Sequence, residues 1–336
     1  MAALGAVQAQ DYLGALWAIG LRSPGATETE VEQAIADRSF VRTWPLRGTL
    51  HFVPAPDVRW MLALLSPRMI AGSARRSRQL GLDEATFARS AEACARALAG
   101  GRQLTRGEIH GVLEDAGIPT AGQRGYHILW RLGQNGLICF GPRLGRQQTF
   151  VLLDEWVPGL RSLERDEALA TLTIRYFTGH GPATLRDYVW WSGLSAVDAR
   201  AGLALASGRL AQVTVEGTVY WTAEAAAGAT APPERVQLLP AFDEYLVGYR
   251  DRECLLDPSY AGRVVPGSGG MLVPTLLVDG RVAGTWKRTL TRRAVLVVGR
   301  PFAAFGTEET RNFAGAVERY ARFLGLAAEW RLEAWG

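Results

Sequence analysis

The stretch Leu104-Thr105-Arg106-Gly107-Glu108-Ile109-His110-Gly111-Val112-Leu113-Glu114-Asp115 decides how this 336-residue chain is read. It has the start signal and length of a short capped helix. Glu84 to Ala99 before it and Gly122 to Asn135 after it read as two further helices. Leu137 to Phe140 and Thr149 to Leu153 then form two β-rich runs around Gly141-Pro142-Arg143-Leu144-Gly145-Arg146. Three helices followed by a β-wing is the winged-helix order. The third helix carries Gln123, Arg124, His127 and Arg131, and the wing tip carries Arg143 and Arg146.

Downstream the order repeats. Arg165 to Thr178, Thr184 to Ser192 and Ala196 to Ser207 read as helices, and Leu210 to Val215 and Val219 to Thr222 flank the turn Glu216-Gly217. Internal repetition sets a fold class more firmly than a single motif. Upstream, Thr27 and Glu30 form a capping box for a helix to Arg38. Ser39 to Val53 reads as a hairpin bent at Pro45-Leu46-Arg47-Gly48, so Gln8 to Val53 resembles a degenerate third copy. Pro54 and Pro56 open a helix from Asp57 to Ser66, and Arg68, Arg75, Arg76 and Arg78 fall on a polar connector.

Ala223 to Pro233 is an Ala/Gly/Pro linker. Beyond it, strands and Gly/Pro turns alternate to Val298, and Arg311 to Leu324 is a closing amphipathic helix. The expected fold is α+β. Winged-helix modules are expected over residues 1–82, 83–158 and 159–223, with a β-rich domain over 234–336.

Composition narrows the chemistry. With 48% hydrophobic and 21% charged residues this is an ordinary globular chain. No apolar run is long enough to span a bilayer and the first residues lack a basic n-region, so a cytoplasmic, nucleoid-associated protein is expected. Cys94, Cys139 and Cys254 stand in no C-x-x-C pattern and read as buried thiols. His51, His110, His127 and His180 have no metal-ligand spacing, so no metal and no cofactor are expected. Gly267-Ser268-Gly269-Gly270 lacks the lysine of a phosphate loop, and Ser192 lies in no nucleophile elbow. The net charge is +4, and Lys287 is the single lysine among arginines. Arginine on third helices and wings suits nucleic acid.

Near the N-terminus stands Val7-Gln8-Ala9-Gln10-Asp11-Tyr12. Residues i and i+2 of a helix point to nearly opposite sides, so both amides serve one site only on extended backbone or at a helix start. Taken alone, the pair reads as a solvent-facing helix cap. Asp11 is either the cap of the helix after it or a competing general base.

Five blocks carry a resemblance. They are Val7 to Asp11, Arg42-Thr43-Trp44-Pro45-Leu46-Arg47-Gly48-Thr49-Leu50-His51, Gly181 to Tyr188, Leu239 to Arg252, and Val278 to Trp286. Together they resemble the winged-helix crosslink-repair DNA glycosylases, the azinomycin-resistance type among them. That resemblance implies a C-shaped arrangement around DNA and places the family's Gln-Φ-Gln motif on Gln8-Ala9-Gln10. Family members carry further residues ahead of this motif, and Ala9 is small where a bulkier apolar residue can sit.

The implied reaction is hydrolysis of N7-alkylguanine from double-stranded DNA by a monomer, with Gln8 and Gln10 orienting the water. With no suitably placed lysine for a Schiff base, an abasic site is the expected product. Arg42, Arg47, His51, Arg124, Arg131, Arg143, Tyr249, Arg250 and Arg252 are the expected DNA contacts. His51 reads equally as a satisfied interior histidine, and Asp243 as an acid pairing a buried arginine. The competing readings are a non-catalytic winged-helix regulator or lesion-sequestering factor, and a scaffold that binds no DNA.

Overall fold

The structure is a computed structural model that describes residues 3–223, 234–267 and 270–335. The expected linker lies outside the described residues from position 224 on, and Ser268-Gly269 of the glycine loop lies outside them too. The chain divides into two compact units that are not consecutive in sequence. One comprises Met1–Ala6 and Ala34–Ala223, the other Val7–Gln33 and Glu224–Gly336.

In the first unit the Leu104–Asp115 stretch folds as its local chemistry dictates. Thr105 caps the helix Arg106–Asp115, and the Glu108 carboxylate returns to accept from the Thr105 N–H at 2.7 Å. This capping box satisfies donors that the first helical turn leaves unpaired. Helix Arg124–Gln134 follows, then the antiparallel strands Ile138–Phe140 and Thr149–Leu152. Leu104–Thr105 pairs with Thr149 and Phe150. On the other side, Arg42 of strand Phe40–Thr43 pairs with Phe140, and His51–Pro54 pairs with Phe40–Thr43 in turn. Phe87, Leu98, Ile109, Leu113, Ile128, Leu132, Phe140 and Phe150 fill the core beneath.

The second run has the same devices. Helices Arg165–His180, Leu185–Ser192 and Ala196–Ala206 precede the hairpin of Leu210–Val215 and Thr218–Ala223. Thr184 and Asp187 form its capping box, as Thr105 and Glu108 do in the first run. Its core is aromatic: Tyr176 lies 5.2 Å from Tyr188 and 5.1 Å from Trp191 between ring centroids.

One element departs from the sequence expectation. The helix after Pro54 is Val58–Gln79, and it runs straight through Pro67. Arg68, Arg75, Arg76 and Arg78 therefore stand on a helix, not on a connector. Interior proline costs a helix roughly 3 kcal/mol. The turn beyond it places Met69, Ile70 and Leu80 against the core, and that packing outweighs the proline.

In the second unit five strands lie in the order Ala327–Leu332, Ala294–Pro301, Arg281–Leu290, Thr275–Val278 and Val236–Leu239. All neighbours are antiparallel except the first two. A parallel pair needs a crossover, and helix Thr307–Leu324 provides it, burying Phe313, Val317 and Tyr320. Helix Tyr12–Leu21 packs beside it, with Trp17 4.9 Å from Tyr320 and 5.1 Å from Phe323 between ring centroids. The Trp17 indole N–H donates to the Leu238 carbonyl at 2.7 Å. Gly20 is required there, since a Cβ would stand 2.5 Å from the Phe323 ring. Among the described residues no helix is long and apolar enough to cross a membrane.

Candidate active site

The glutamine segment is extended where it matters. Val7–Gln8 is strand, and Asp11 (φ −88°, ψ 103°) precedes helix Tyr12–Leu21. Backbone of that kind permits residues two apart to serve one site. Gln8 keeps 8% of its surface, Ala9 none, and Gln10 is exposed. The solvent-facing cap reading therefore fails for Gln8, which is interior and three residues ahead of the N-cap.

Two features define Gln8. Its main-chain N–H donates to Oε1 of Glu244 at 2.8 Å, and Glu244 is itself 1% exposed. Its side-chain Oε1 is buried and has no hydrogen-bond partner among the described residues. A buried amide oxygen without a donor is an acceptor still to be satisfied.

Asp11 holds the N-cap position, yet its side chain makes no cap hydrogen bond. Instead its Oδ2 lies 3.8 Å from a guanidinium nitrogen of Arg288, which also donates to the Tyr320 hydroxyl. The expected cap is thus replaced by an ion pair. Gly14 makes room for it, because a Cβ there would stand 2.6 Å from that carboxylate oxygen.

The neighbouring acid pairs an arginine as expected, though the arginine, Arg22, is exposed as a residue and only the acid is buried. Asp243 accepts both guanidinium nitrogens of Arg22, at 2.9 and 2.7 Å, and the Tyr245 N–H at 2.9 Å. Burial pulls the Arg22 guanidinium downward, but the Asp243 charge and hydrogen bonds outweigh it and hold it above its ordinary value. Beyond this turn, Tyr249 is half-buried and Arg250 exposed, while the Arg252 Nε–H closes on the Leu246 carbonyl at 2.6 Å.

The remaining expected contacts lie in the first unit. Arg42 keeps 3% of its surface, with its guanidinium 4.7 Å from the Phe140 ring centroid. His51 keeps none, and its Nδ1 is 2.9 Å from the Thr49 carbonyl. Both side chains are thus enclosed in the protein and present little surface to a phosphate. Arg47, at φ 54°, donates to the Trp190 and Trp191 carbonyls. Arg124 donates to the Pro119 carbonyl at 2.9 Å and to the Leu80 and Gly81 carbonyls. Arg131 forks onto Glu84 at 2.9 and 2.8 Å and covers Phe87. Arg143 is half-exposed in the wing turn beside exposed Arg146.

Sequence reasoning missed Glu244 and Arg288. It also passed over the exposed hairpin tip, where Lys287, Arg292 and Arg293 lie around the turn from Leu290 to Ala294. Glu244 stands between Leu239 and Arg252, but nothing local says which of two adjacent acids turns to a residue 236 positions away. Among the described residues no group of three or more His, Cys, Asp or Glu is placed to hold a metal ion.

An extended, half-hidden Gln-x-Gln segment in a unit with a five-stranded sheet, in a chain whose other unit repeats helices and hairpins, belongs to a defined class. The chain is a member of the AlkZ-like DNA glycosylase family, whose profile matches residues 1–323. Such enzymes hydrolyse the bond between base and sugar. The chain is similar to the interstrand DNA cross-link repair glycosylase of Streptomyces sahachiroi, at 30% identity over 305 residues, 84% of this chain and 79% of that one. It is similar also to the solved structure of Streptomyces sahachiroi DNA glycosylase AlkZ, with TM-score 0.79 and 27% identity over 99% of this chain and 92% of that chain.

Proposed function

We propose that this glycosylase removes cationic N7-alkylguanine from duplex DNA, bulky adducts and interstrand crosslinks included, and leaves an abasic site. The observation that carries the reading is the buried, unpartnered Oε1 of Gln8 on extended backbone two residues from Gln10. An unsatisfied buried acceptor costs about 1–3 kcal/mol, and a bound water donating to it removes that cost.

The reaction then follows from charge. Alkylation at N7 places a positive charge on the purine, so the leaving group is activated before binding. Water adds its oxygen to C1′ while the C1′–N9 bond breaks. The bond's electron pair neutralises the purine, and the water's proton leaves to solvent. Neither amide is basic enough to take that proton early, so the pair positions and orients the water. Substrates without an activated base fall outside its reach. Similarity to the interstrand DNA cross-link repair glycosylase of Streptomyces sahachiroi supports crosslinks as a substrate class.

The runs over 83–158 and 159–223 read as winged helices that hold the duplex. Of the expected contacts, Arg47, Arg143 and Arg250 are exposed or half-exposed cations suited to phosphate, and exposed Arg146 on the same wing turn joins them. Single-turnover release of N7-methylguanine tests the reading: Q8A and Q10A are each expected to slow it by about 10²–10³-fold, the range seen on removing one positioned polar group. Wild-type rates in the double variant, or robust release of uracil, would sink the proposal. Borohydride trapping of a covalent adduct would overturn the assignment of simple hydrolysis.

A further inference from the structure

We infer that Glu244 is a positioning residue for Gln8. This rests on the reading of Gln8 and Gln10 as the water-orienting pair. The geometry is a long-range clamp: Glu244 Oε1 accepts the Gln8 main-chain N–H at 2.8 Å across 236 positions of sequence. Both ends are interior, with 1% of Glu244 and 8% of Gln8 accessible.

Glu244 is itself fixed. It is the first residue of the turn of helix Glu244–Val247, whose N-cap Asp243 accepts the Tyr245 N–H at 2.9 Å. Asp243 in turn takes the fork from Arg22, at the C-cap of helix Tyr12–Leu21. The helix that begins just after Gln10 is therefore pinned at its far end by Asp243, and the strand before it by the next residue, Glu244. Two consecutive acids bracket the glutamine segment. A charge-assisted bond to a main-chain donor is short and directional, so it sets the plane of the Gln8 peptide and hence the direction of its side chain. A water aimed at C1′ tolerates little error, since a displacement near 1 Å costs about 10²-fold in rate. The clamp carries no proton and touches no substrate; it acts through Gln8.

Two variants separate geometry from charge. Glu244→Gln keeps a carbonyl acceptor at the same reach and loses the charge, whereas Glu244→Asp keeps the charge and withdraws the acceptor by one methylene. The inference expects E244Q to excise N7-methylguanine within about threefold of wild type with an unmoved pH profile, and E244D to be slower by about tenfold or more. Duplex affinity should hold in both, so kcat moves and Kd does not. Amide hydrogen exchange across residues 7–10 should quicken in E244D alone. An active E244D with a slow E244Q and a shifted pH profile would overturn the clamp in favour of carboxylate chemistry. If wild type releases no alkylguanine, the parent reading of the glutamines fails. The exchange measurement still decides the clamp, and unchanged protection in E244D would refute it.

Discussion

At the scale of single residues, the site depends on small side chains as much as on the glutamines. Gly14 is one of them. A methyl group there meets the Asp11 carboxylate at 2.6 Å and Pro240 at 3.2 Å. Gly14→Ala is expected to push Asp11 off Arg288 and to destabilise the protein by roughly 1–3 kcal/mol, the usual cost of overpacking. Urea unfolding reads the loss, and Asp11→Asn in the same background should recover little of it, because the clash is steric. The thiols make a second test. Burial pushes the Cys94 thiol up to about 12 and lifts Cys139 further, while Cys254 is exposed. Only the thiolate reacts, so at pH 8 the native protein should take one maleimide, at Cys254. Labelling of all three thiols without denaturant would contradict the burial of Cys94 and Cys139.

At the scale of elements, the capping boxes explain why so much of the first unit was legible. Thr105 with Glu108, and Thr184 with Asp187, are signals written within four residues, and the helices begin where they stand. Thr105→Ala is expected to lose about 1 kcal/mol, seen as a lower urea midpoint at unchanged slope. Thr184→Ala should behave alike, and a null effect at both would mean that tertiary packing alone sets the helix starts. What was not legible is which arginines stay outside. Strand Phe40–Thr43 is buried at all four positions, so the alternation that would have turned Arg42 to solvent does not operate. Arg124 and Arg131 resemble reading-helix cations in sequence, but three backbone carbonyls hold one and Glu84 holds the other. Those partners lie 40 or more residues away, apart from Pro119, and no periodicity reports them. The Pro67 helix failed for the same reason, since its continuation is decided by a core assembled elsewhere.

At the scale of the whole molecule, phosphate contact makes binding steeply salt-dependent, with log K falling by about 0.9 per log unit of salt for each phosphate neutralised. Arg250→Ala should lower that slope by about one while leaving excision from bound DNA unchanged; an unaltered slope would remove Arg250 from the interface. The division of the chain has a consequence for synthesis. Val7–Gln33 belongs with Glu224–Gly336, and its bonds reach Leu238, Asp243 and Glu244. A ribosome adding about 5–20 residues per second therefore makes the glutamine segment roughly eleven to forty-six seconds before the strand that seats it. Nascent chains arrested short of Val236 should be cut by protease between Gln8 and Arg22, while those released at full length are protected there. The glutamine segment thus waits on partners made some 230 positions later, and a chain stopped before them has a helix and a strand with nothing to hold them.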